Sequence, residues 1–357
     1  MRVKTIVKDI CGPTLRPALQ LAFSFIALVG AIGSLVPISS AQDAIVLVGT
    51  GSSVPAPLYA QWAEQYNKRS AKIQMRYLAL GTSEGINQVS RGSGDFAAGE
   101  VLLTSKERSE YKLVQLPAVI IGIVPIYNVP GVQGELRFSG PLLAEIFLGR
   151  VKNWNSPAIA KLNPSAALPD LPIKVVYRPA GKGSNYVFTD FLSKTSPQFK
   201  EEIGTSASPK WPVGTPAERS ADMVEKVHNE TGAIGFVEAQ YAVKMHIQSA
   251  SVLNPAGRFV RASEKTLTAA CSVIEAPDWG KLSASLVNAP GPDSYPITSF
   301  TWLYLRNGSP DPHRVAAVSD LLNWMMREGQ QVTSTEGYAE LPAPLVENVR
   351  LKISSLR

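Results

Sequence analysis

Cysteine and histidine are scarce in this chain of 357 residues, which holds two cysteines and three histidines. Cys11 lies near the N-terminus, so removal of that segment would leave Cys271 alone and would exclude an internal disulfide. His228, His246 and His313 are dispersed, and none has another histidine or cysteine at the spacing of a zinc site. The sequence therefore predicts no metal, no cofactor and a fold that is stabilised by burial of its core.

Signals for nucleotide and nucleic-acid binding are also missing. The tetrapeptide Gly181-Lys182-Gly183-Ser184 does not complete the G-x-x-x-x-G-K-[ST] loop that cradles nucleotide phosphates. No basic run is interleaved with aromatic residues, so nucleic acid is not an expected partner. A secreted phosphoryl hydrolase is an alternative class, but it would need a metal cluster or an activated nucleophile, and neither is predicted.

Residues 1–41 have the organisation of a secretory signal peptide. A basic region precedes the apolar run 18–37, and small residues at 39–41 permit cleavage before Gln42. The alternative is an uncleaved membrane anchor, because residues 19–36 are nearly long enough to span a bilayer. The segment holds four of the 35 basic residues and one of the 29 acidic residues, so its removal leaves 31 and 28. The formal charge then falls from +6 to +3, which is weak evidence for a polyanionic partner.

A strand, a glycine-rich turn and a helix are predicted over residues 172–189. Residues 172–177 are β-branched and apolar, two glycines flank Lys182, and Ser184 is a suitable N-cap for the apolar helical face that follows. Such a turn leaves backbone N–H groups free beside the positive end of the helix dipole, where Arg178 adds charge. The pattern indicates an anion site. The alternative is an ordinary turn with two solvated basic residues.

The same arrangement recurs in the first hundred residues. Strands are predicted at 44–49, 73–80 and 95–99, and a small hydroxyl residue or an acid follows each one. Ligands bind beyond the carboxyl ends of strands in open α/β sheets, so the recurrence favours a ligand site. Plain turn chemistry would explain any single turn, and Glu100 taken alone is a surface carboxylate. The other predicted elements are helices at 58–66, 142–148, 156–162 and 313–327, strands at 117–127, 232–237 and 297–306, and an irregular segment at 250–295.

Several short motifs extend over nearly the whole chain after residue 41. They are Gly49-x-Gly51-x-Ser53-x-Pro55-Ala56-Pro57 with Tyr59 and Trp62, Gly81-Thr82-Ser83, Asp95-Phe96-x-Ala98, Glu145-Ile146-Phe147-Leu148-Gly149 with Trp154, and the segments 158–164, 232–238 and 295–299. Together they resemble the periplasmic phosphate-binding proteins of bacterial ABC-type phosphate importers. Singly, none of these motifs is specific.

The resemblance implies an α/β fold of the hinged, two-domain periplasmic-binding-protein kind, type II, which closes on a dehydrated phosphate like a Venus flytrap. The domains would be 42–125 with 298–357, and 126–297. The protein would be a periplasmic monomer without enzymatic activity that delivers inorganic phosphate to ABC permease subunits in the inner membrane. The implied ligand groups are the hydroxyls of Ser53, Thr82 and Ser184, the N–H groups of Val54, Gly183 and Ser184, the Glu100 carboxylate and the Arg178 guanidinium, with Lys182 as a further candidate.

The chain departs from the family's pattern in the arginine loop and at the acid position. Ala180 stands where the family usually has an aspartate that helps to hold the arginine, Lys182 replaces a serine, and Glu100 replaces an aspartate. Lys182 could bind the ligand, pair with Glu100 or point to solvent, and the ligand could be another oxyanion. An ionised Glu100 only accepts hydrogen bonds, so it would favour hydrogen phosphate over sulfate. If the N-terminal segment is retained, the alternative is a membrane-tethered phosphate sensor.

Overall fold

The computed structural model describes residues 44–273, 284–308 and 310–356, which belong to one compact α/β unit. The predicted signal segment, residues 1–41, lies outside the described residues. Among the described helices, none combines the length and the apolar character needed to cross a membrane. The division into two domains stays a prediction.

The described strands and helices alternate along most of the chain. The strands are β1 (Ile45–Gly51), β2 (Ile73–Leu78), β3 (Phe96–Gly99), β4 (Leu113–Tyr127), β5 (Arg137–Phe138), β6 (Lys174–Tyr177), β7 (Thr215–Pro216), β8 (Ala233–Glu238), β9 (Ser251–Leu253), β10 (Phe259–Val260) and β11 (Thr298–Arg306). The helices are α1 (Ala56–Arg69), α2 (Thr82–Ser90), α3 (Ser105–Tyr111), α4 (Gly140–Phe147), α5 (Pro157–Leu162), α6 (Gly183–Thr195), α7 (Pro197–Glu202), α8 (Ser220–Asn229), α9 (Ala239–Lys244), α10 (Glu264–Ser272), α11 (Pro312–Met325) and α12 (Ala343–Ile353).

The predicted strands are confirmed, and two local predictions are wrong. The segment 250–295, predicted to be irregular, contains β9, β10 and α10. Only Leu267, Ala270 and Cys271 of α10 are buried, so its apolar pattern is short and weak. Ser184 is not the N-cap of α6, because Lys182 occupies that position and Ser184 lies in the first helical turn.

An eight-stranded sheet organises the unit, with the strand order β2-β1-β3-β11-β4-β8-β6-β7. Strand β1 is parallel to both β2 and β3, whereas β11 is antiparallel to both β3 and β4. At the other end, β8 is antiparallel to β4, and β6 is parallel to both β8 and β7. A small sheet of β10, β9 and β5 accompanies it.

Strand β4 changes its pairing partner once along its 15 residues. Residues 113–122 pair with β11, and residues 123–127 pair with β8, where Ile123 lies opposite Glu238. The group β6–β8 therefore lies further along β4 than the group β1–β3 and runs in the opposite direction. As a result, the carboxyl ends of the two groups face each other near the point where β4 changes partner.

The core forms on both sides of β4, whose side chains are almost all buried. This explains its nearly continuous apolar sequence, since a strand covered on both faces loses the alternation of a half-exposed strand. Trp154 is fully buried and its indole N–H donates to the Gly232 carbonyl at 3.0 Å, so it is a packing residue of the core. Cys271 is a buried free thiol on α10, and burial raises the pKa of this thiol to about 12.

Candidate functional site

Three of the predicted residues lie where β1, β3 and α2 meet. Gly51 pairs with Ala98, so the residues that follow β1 and β3 are neighbours. Glu100 is fully buried, and its Oε2 accepts a hydrogen bond from Thr82 Oγ1 at 3.1 Å. The turn after β1 brings Ser53 to the same place. These residues form one side of the site.

The turn before α6 forms the opposite side. A β-carbon added at Gly183 would overlap Glu100 Oε2 and would approach Thr82 Oγ1 to 2.5 Å, so only glycine fits here. The Ser83 N–H donates to the Gly181 carbonyl at 3.2 Å, which joins the two sides directly. The N-terminus of α6, with its free backbone N–H groups, thus faces the buried carboxylate.

Arg178 is the cation of the site and is only 2% exposed. Its Nη2 donates to Ser53 Oγ at 3.2 Å, while Nε and Nη1 are buried without a hydrogen-bond partner. Burial lowers the pKa of Arg178, and the nearby Glu238 carboxylate opposes this effect. A guanidinium holds its charge even when desolvated, so Arg178 presents two free N–H directions to an acceptor.

Asn185 fixes the backbone of this turn. Its side-chain amide donates to the carbonyls of Arg178, Pro179 and Ala207 at 3.0, 2.8 and 3.2 Å. These contacts hold the segment that carries Arg178 against the first turn of α6. Each buried carbonyl that loses such a donor is left unsatisfied.

The interpretation of Glu100 as a surface carboxylate is wrong, because the side chain is fully buried. Burial raises the pKa of Glu100 to about 8, and hydrogen bonds from Ser52 and Thr82 only partly offset the rise. The carboxylate Oε1 has no partner. Glu100 is therefore an ionised acceptor, as expected, only above about pH 8, and below this pH the carboxyl group carries its own proton.

Lys182 does not pair with Glu100. Its Nζ lies 3.0 Å from Glu218 Oε2, and the Glu218 side chain is 68% exposed. The Lys182 side chain is itself only 19% exposed, and its charge is matched by an acid at the surface. Of the three alternatives for this residue, pairing with Glu100 is the one that the geometry contradicts.

The remaining predicted groups differ in how free they are. Ser184 is 1% exposed and its Oγ has no partner. The Val54 N–H, by contrast, donates to Ser52 Oγ at 3.1 Å. The structure therefore gathers Ser53, Thr82, Glu100, Arg178, Gly183 and Ser184 into one site, with Val54 beside it and Lys182 paired with Glu218.

Three contributors to this site were not predicted. Ser52 and Asn185 support Glu100 and the arginine turn, and Glu238 places a second buried carboxylate near Arg178. Glu238 is the last residue of the 232–238 motif and directly follows the strand predicted at 232–237. The carboxyl end of a strand is the signal that could have found it.

Among the described residues, no nucleophile, base and metal ligands come together as they would in an enzyme's active site. Gly81-Thr82-Ser83-Glu84-Gly85 has the spacing of the nucleophile elbow, which the interpretation as a plain turn overlooked. The three histidines are exposed and lie on α8, after α9 and on α11, so none is buried as a base beside Ser83. No cluster of three or more potential metal ligands occurs among the described residues.

The fold and the site define an α/β protein in which two groups of strand ends meet around a buried arginine and a buried carboxyl group. The family model described as a PBP superfamily domain matches residues 39–328. "Phosphate-binding protein PstS" of Pasteurella multocida is 34% identical over 309 residues, which cover 86% of this chain and 90% of that protein. The chain therefore belongs to the PBP superfamily and, within it, to the PstS family, a family of solute-binding proteins.

Solved structures show the same fold. The high-affinity periplasmic phosphate-binding protein PfluDING, bound with phosphate, superposes with a TM-score of 0.70 at 18% identity and covers 86% of this chain and 93% of its own. An ABC-type phosphate transport receptor from Vibrio cholerae gives a TM-score of 0.56 at 16% identity and covers 83% of this chain and 100% of its own. The predicted resemblance and the type II periplasmic-binding-protein fold are confirmed.

Proposed function

We propose that this protein captures inorganic phosphate and delivers it to an ABC importer. The observation that carries the proposal is the buried Arg178, whose Nε and Nη1 have no partner, on the same turn as the unpartnered Ser184 hydroxyl. A tetrahedral oxyanion would accept from both groups and from the free N–H groups of Gly183 and Ser184. Ser53 and Thr82 would add hydroxyl donors, and Val54 an N–H released from Ser52.

The site supports closure around the ligand. Ser83 bonds the Gly181 carbonyl, Arg178 bonds Ser53, and the Tyr186 hydroxyl bonds the Leu102 carbonyl at 3.3 Å, all across the predicted boundary between two domains. A ligand could enter only if these contacts open. We infer a hinge motion of the domains 42–125 with 298–357 against 126–297, and a dehydrated ligand in the closed form.

Glu100 would distinguish phosphate from sulfate through a proton. The carboxyl group and a hydrogen phosphate can share one proton, whichever of them brings it, whereas fully ionised sulfate brings none. Above the raised pKa of Glu100, about 8, sulfate would meet an ionised carboxylate in a buried site. Placing two unshared negative charges together in a buried site costs on the order of several kcal/mol of binding free energy.

The remaining assignments follow from this function. We propose that the chain acts outside the inner membrane as a monomer, that it contacts ABC permease subunits, and that it makes and breaks no covalent bond. A different oxyanion gains no support from Lys182, because Glu218 already matches its charge.

Calorimetric titration of the ligand-stripped protein with phosphate, sulfate and arsenate tests the proposal. We expect phosphate to bind with micromolar or tighter affinity, about −8 kcal/mol or better. Arg178→Ala should weaken binding by about 2–4 kcal/mol, since it removes a buried charge-assisted contact. Arg219→Ala removes a 76% exposed arginine and should change affinity by less than about 0.5 kcal/mol. Lys182→Ser should weaken binding only if the lysine leaves Glu218 to bind the ligand. If the folded wild-type protein does not bind phosphate at millimolar concentration, the proposed function is wrong. If Arg178→Ala binds phosphate as tightly as the wild type, the site assignment is wrong.

A further inference from the structure

Arg178 follows the middle strand of three parallel strands, and an acid lies at the carboxyl end of each neighbour. Strand β6 lies between β8 and β7, and Tyr177 is level with Pro216 of β7. Glu238 is the last residue of β8, and Glu218 comes two residues after β7. In a parallel group these ends share one edge, so Arg178 lies between two strand ends that each carry an acid.

The two carboxylates differ in availability. Glu218 is exposed and bonded to Lys182. Glu238 is 1% exposed, and its Oε2 is buried without a hydrogen-bond partner, as are Nε and Nη1 of Arg178. Residues 179–184, the turn itself, contain no acid. Glu238 is therefore the buried acid at the strand end beside that of Arg178, although the two side chains form no ion pair within 4.0 Å.

The electrostatics of neighbouring groups agree with this placement. Glu238 opposes the lowering of the Arg178 pKa, and it adds to the rise in the Glu100 pKa. Tyr241 on α9 interacts with both groups. Burial raises the pKa of its hydroxyl, Glu238 raises this pKa further, and Arg178 lowers it. Glu238 thus lies within interaction range of the arginine, the Glu100 carboxyl and a tyrosine hydroxyl.

We propose that Glu238 is the positioning residue of the site, the fixed counter-charge that holds the Arg178 guanidinium oriented towards the anion. A buried guanidinium without a counter-charge would rotate towards any available acceptor, and its desolvation would be uncompensated. With Glu238 on one side and Ser53 on the other, the remaining N–H directions point to the ligand. The inference rests on the proposed function, since phosphate is the anion it concerns.

Two isosteric amide substitutions separate the two acids. Glu238→Gln keeps the shape but removes the charge, and we expect phosphate affinity to fall at least about tenfold. Glu218→Gln, the matched control on the other side of Arg178, should change it less than about twofold. Glu238→Asp keeps the charge on a shorter side chain and should recover most of the loss. Circular dichroism and thermal unfolding establish that each variant is folded.

A double-mutant comparison separates positioning from a merely structural role. In an Arg178→Ala background, the Glu238 carboxylate would only repel the anion, so Glu238→Gln should there strengthen phosphate binding. A structural role would weaken binding in both backgrounds alike.

The outcomes distinguish failure of the proposed function from failure of the positioning role. Failure of the wild-type protein to bind phosphate overturns the proposed function. A binding wild type with an unaffected or tighter Glu238→Gln variant overturns the positioning role alone, and so does the same loss in both backgrounds. A Glu238→Asp variant no better than Glu238→Gln would show that shape, not charge, is what Glu238 contributes.

Discussion

At the scale of single residues, the proton on Glu100 should govern anion choice. Glu100→Gln supplies an amide donor of the same shape and so imitates the protonated carboxyl. Since the pKa of Glu100 is raised to about 8, we expect wild type and variant to bind sulfate similarly at pH 6. Above pH 8 the wild type should lose sulfate affinity by up to about tenfold per pH unit, while the variant stays flat.

The measurement is a set of phosphate and sulfate titrations of both proteins between pH 6 and 9.5 at one ionic strength. The ratio of phosphate to sulfate affinity should rise with pH in the wild type more steeply than in Glu100→Gln, which corrects for the ionisation of phosphate itself. Parallel curves over the whole range would show that another group discriminates between the anions.

The sequence identified most residues of the site but not their charge states. Turn chemistry indicated the segments that hold Ser53, Thr82, Arg178, Gly183 and Ser184, and the family resemblance implied their individual roles. The raised pKa of Glu100 arises from complete burial, which depends on packing from both strand groups. Glu238 was not predicted as a site residue, because Arg178 is 60 residues away in sequence. The two residues come close only through the register of β6 with β8.

At the scale of elements, the turn between β6 and α6 should depend on Asn185. Asn185→Ala removes the side-chain donor of the buried Arg178 carbonyl and of the partly buried Pro179 carbonyl, and should lower the free energy of unfolding by about 1–3 kcal/mol. Because the same turn carries Arg178, phosphate binding should weaken as well. Denaturant unfolding and calorimetry of the variant measure the two effects.

Asn163 provides a matched control away from the site. Its amide donates to the Arg137 and Ile159 carbonyls, both at 3.0 Å, and its Oδ1 accepts from the Arg137 N–H at 2.8 Å. Asn163→Ala should cost a similar amount of stability and leave phosphate affinity unchanged. Equal losses of affinity in both variants would mean that Asn185 acts through general destabilisation.

Element positions were largely predictable, and their exact ends were not. Strand β4 was predictable from its long apolar run. Helix α10 was not, because only three of its residues are buried and its apolar pattern is short. Helix α6 begins at Gly183 and not after Ser184, because close contact with Glu100 and Thr82 decides where the backbone can turn. Such contacts join residues about a hundred positions apart, which local propensity does not describe.

At the scale of the whole molecule, the buried acid of the site should make stability depend on pH. Below about pH 4.5, Glu100 is protonated in both the folded and the unfolded chain and has no effect. Between about 4.5 and 8 the unfolded chain releases this proton while the folded chain keeps it, so rising pH favours unfolding. The contribution is at most about 1.4 kcal/mol per pH unit and levels off above pH 8.

Denaturant unfolding of ligand-free protein across this range measures the effect, with Glu100→Gln as the reference. The wild type should lose stability relative to the variant as pH rises from 5 to 8. A constant difference would mean that the folded protein ionises Glu100 as readily as the unfolded chain does.

The general architecture followed from alternating strands and helices, but the meeting of two opposed strand groups did not. That arrangement depends on β4, which pairs with β11 along residues 113–122 and with β8 along 123–127. A single apolar run contains no mark of the place where the partner changes. The two-domain division near residue 125 therefore came from family resemblance and stays a prediction.

The buried thiol of Cys271 is a natural probe for motion of helix α10. Without residues 1–41 it is the only cysteine, and its pKa of about 12 leaves almost no reactive thiolate at neutral pH. A thiol reagent can therefore modify the chain only during moments when α10 separates from its packing. The rate of that modification, followed with and without phosphate, would show whether the ligand changes how often α10 separates, without an introduced label.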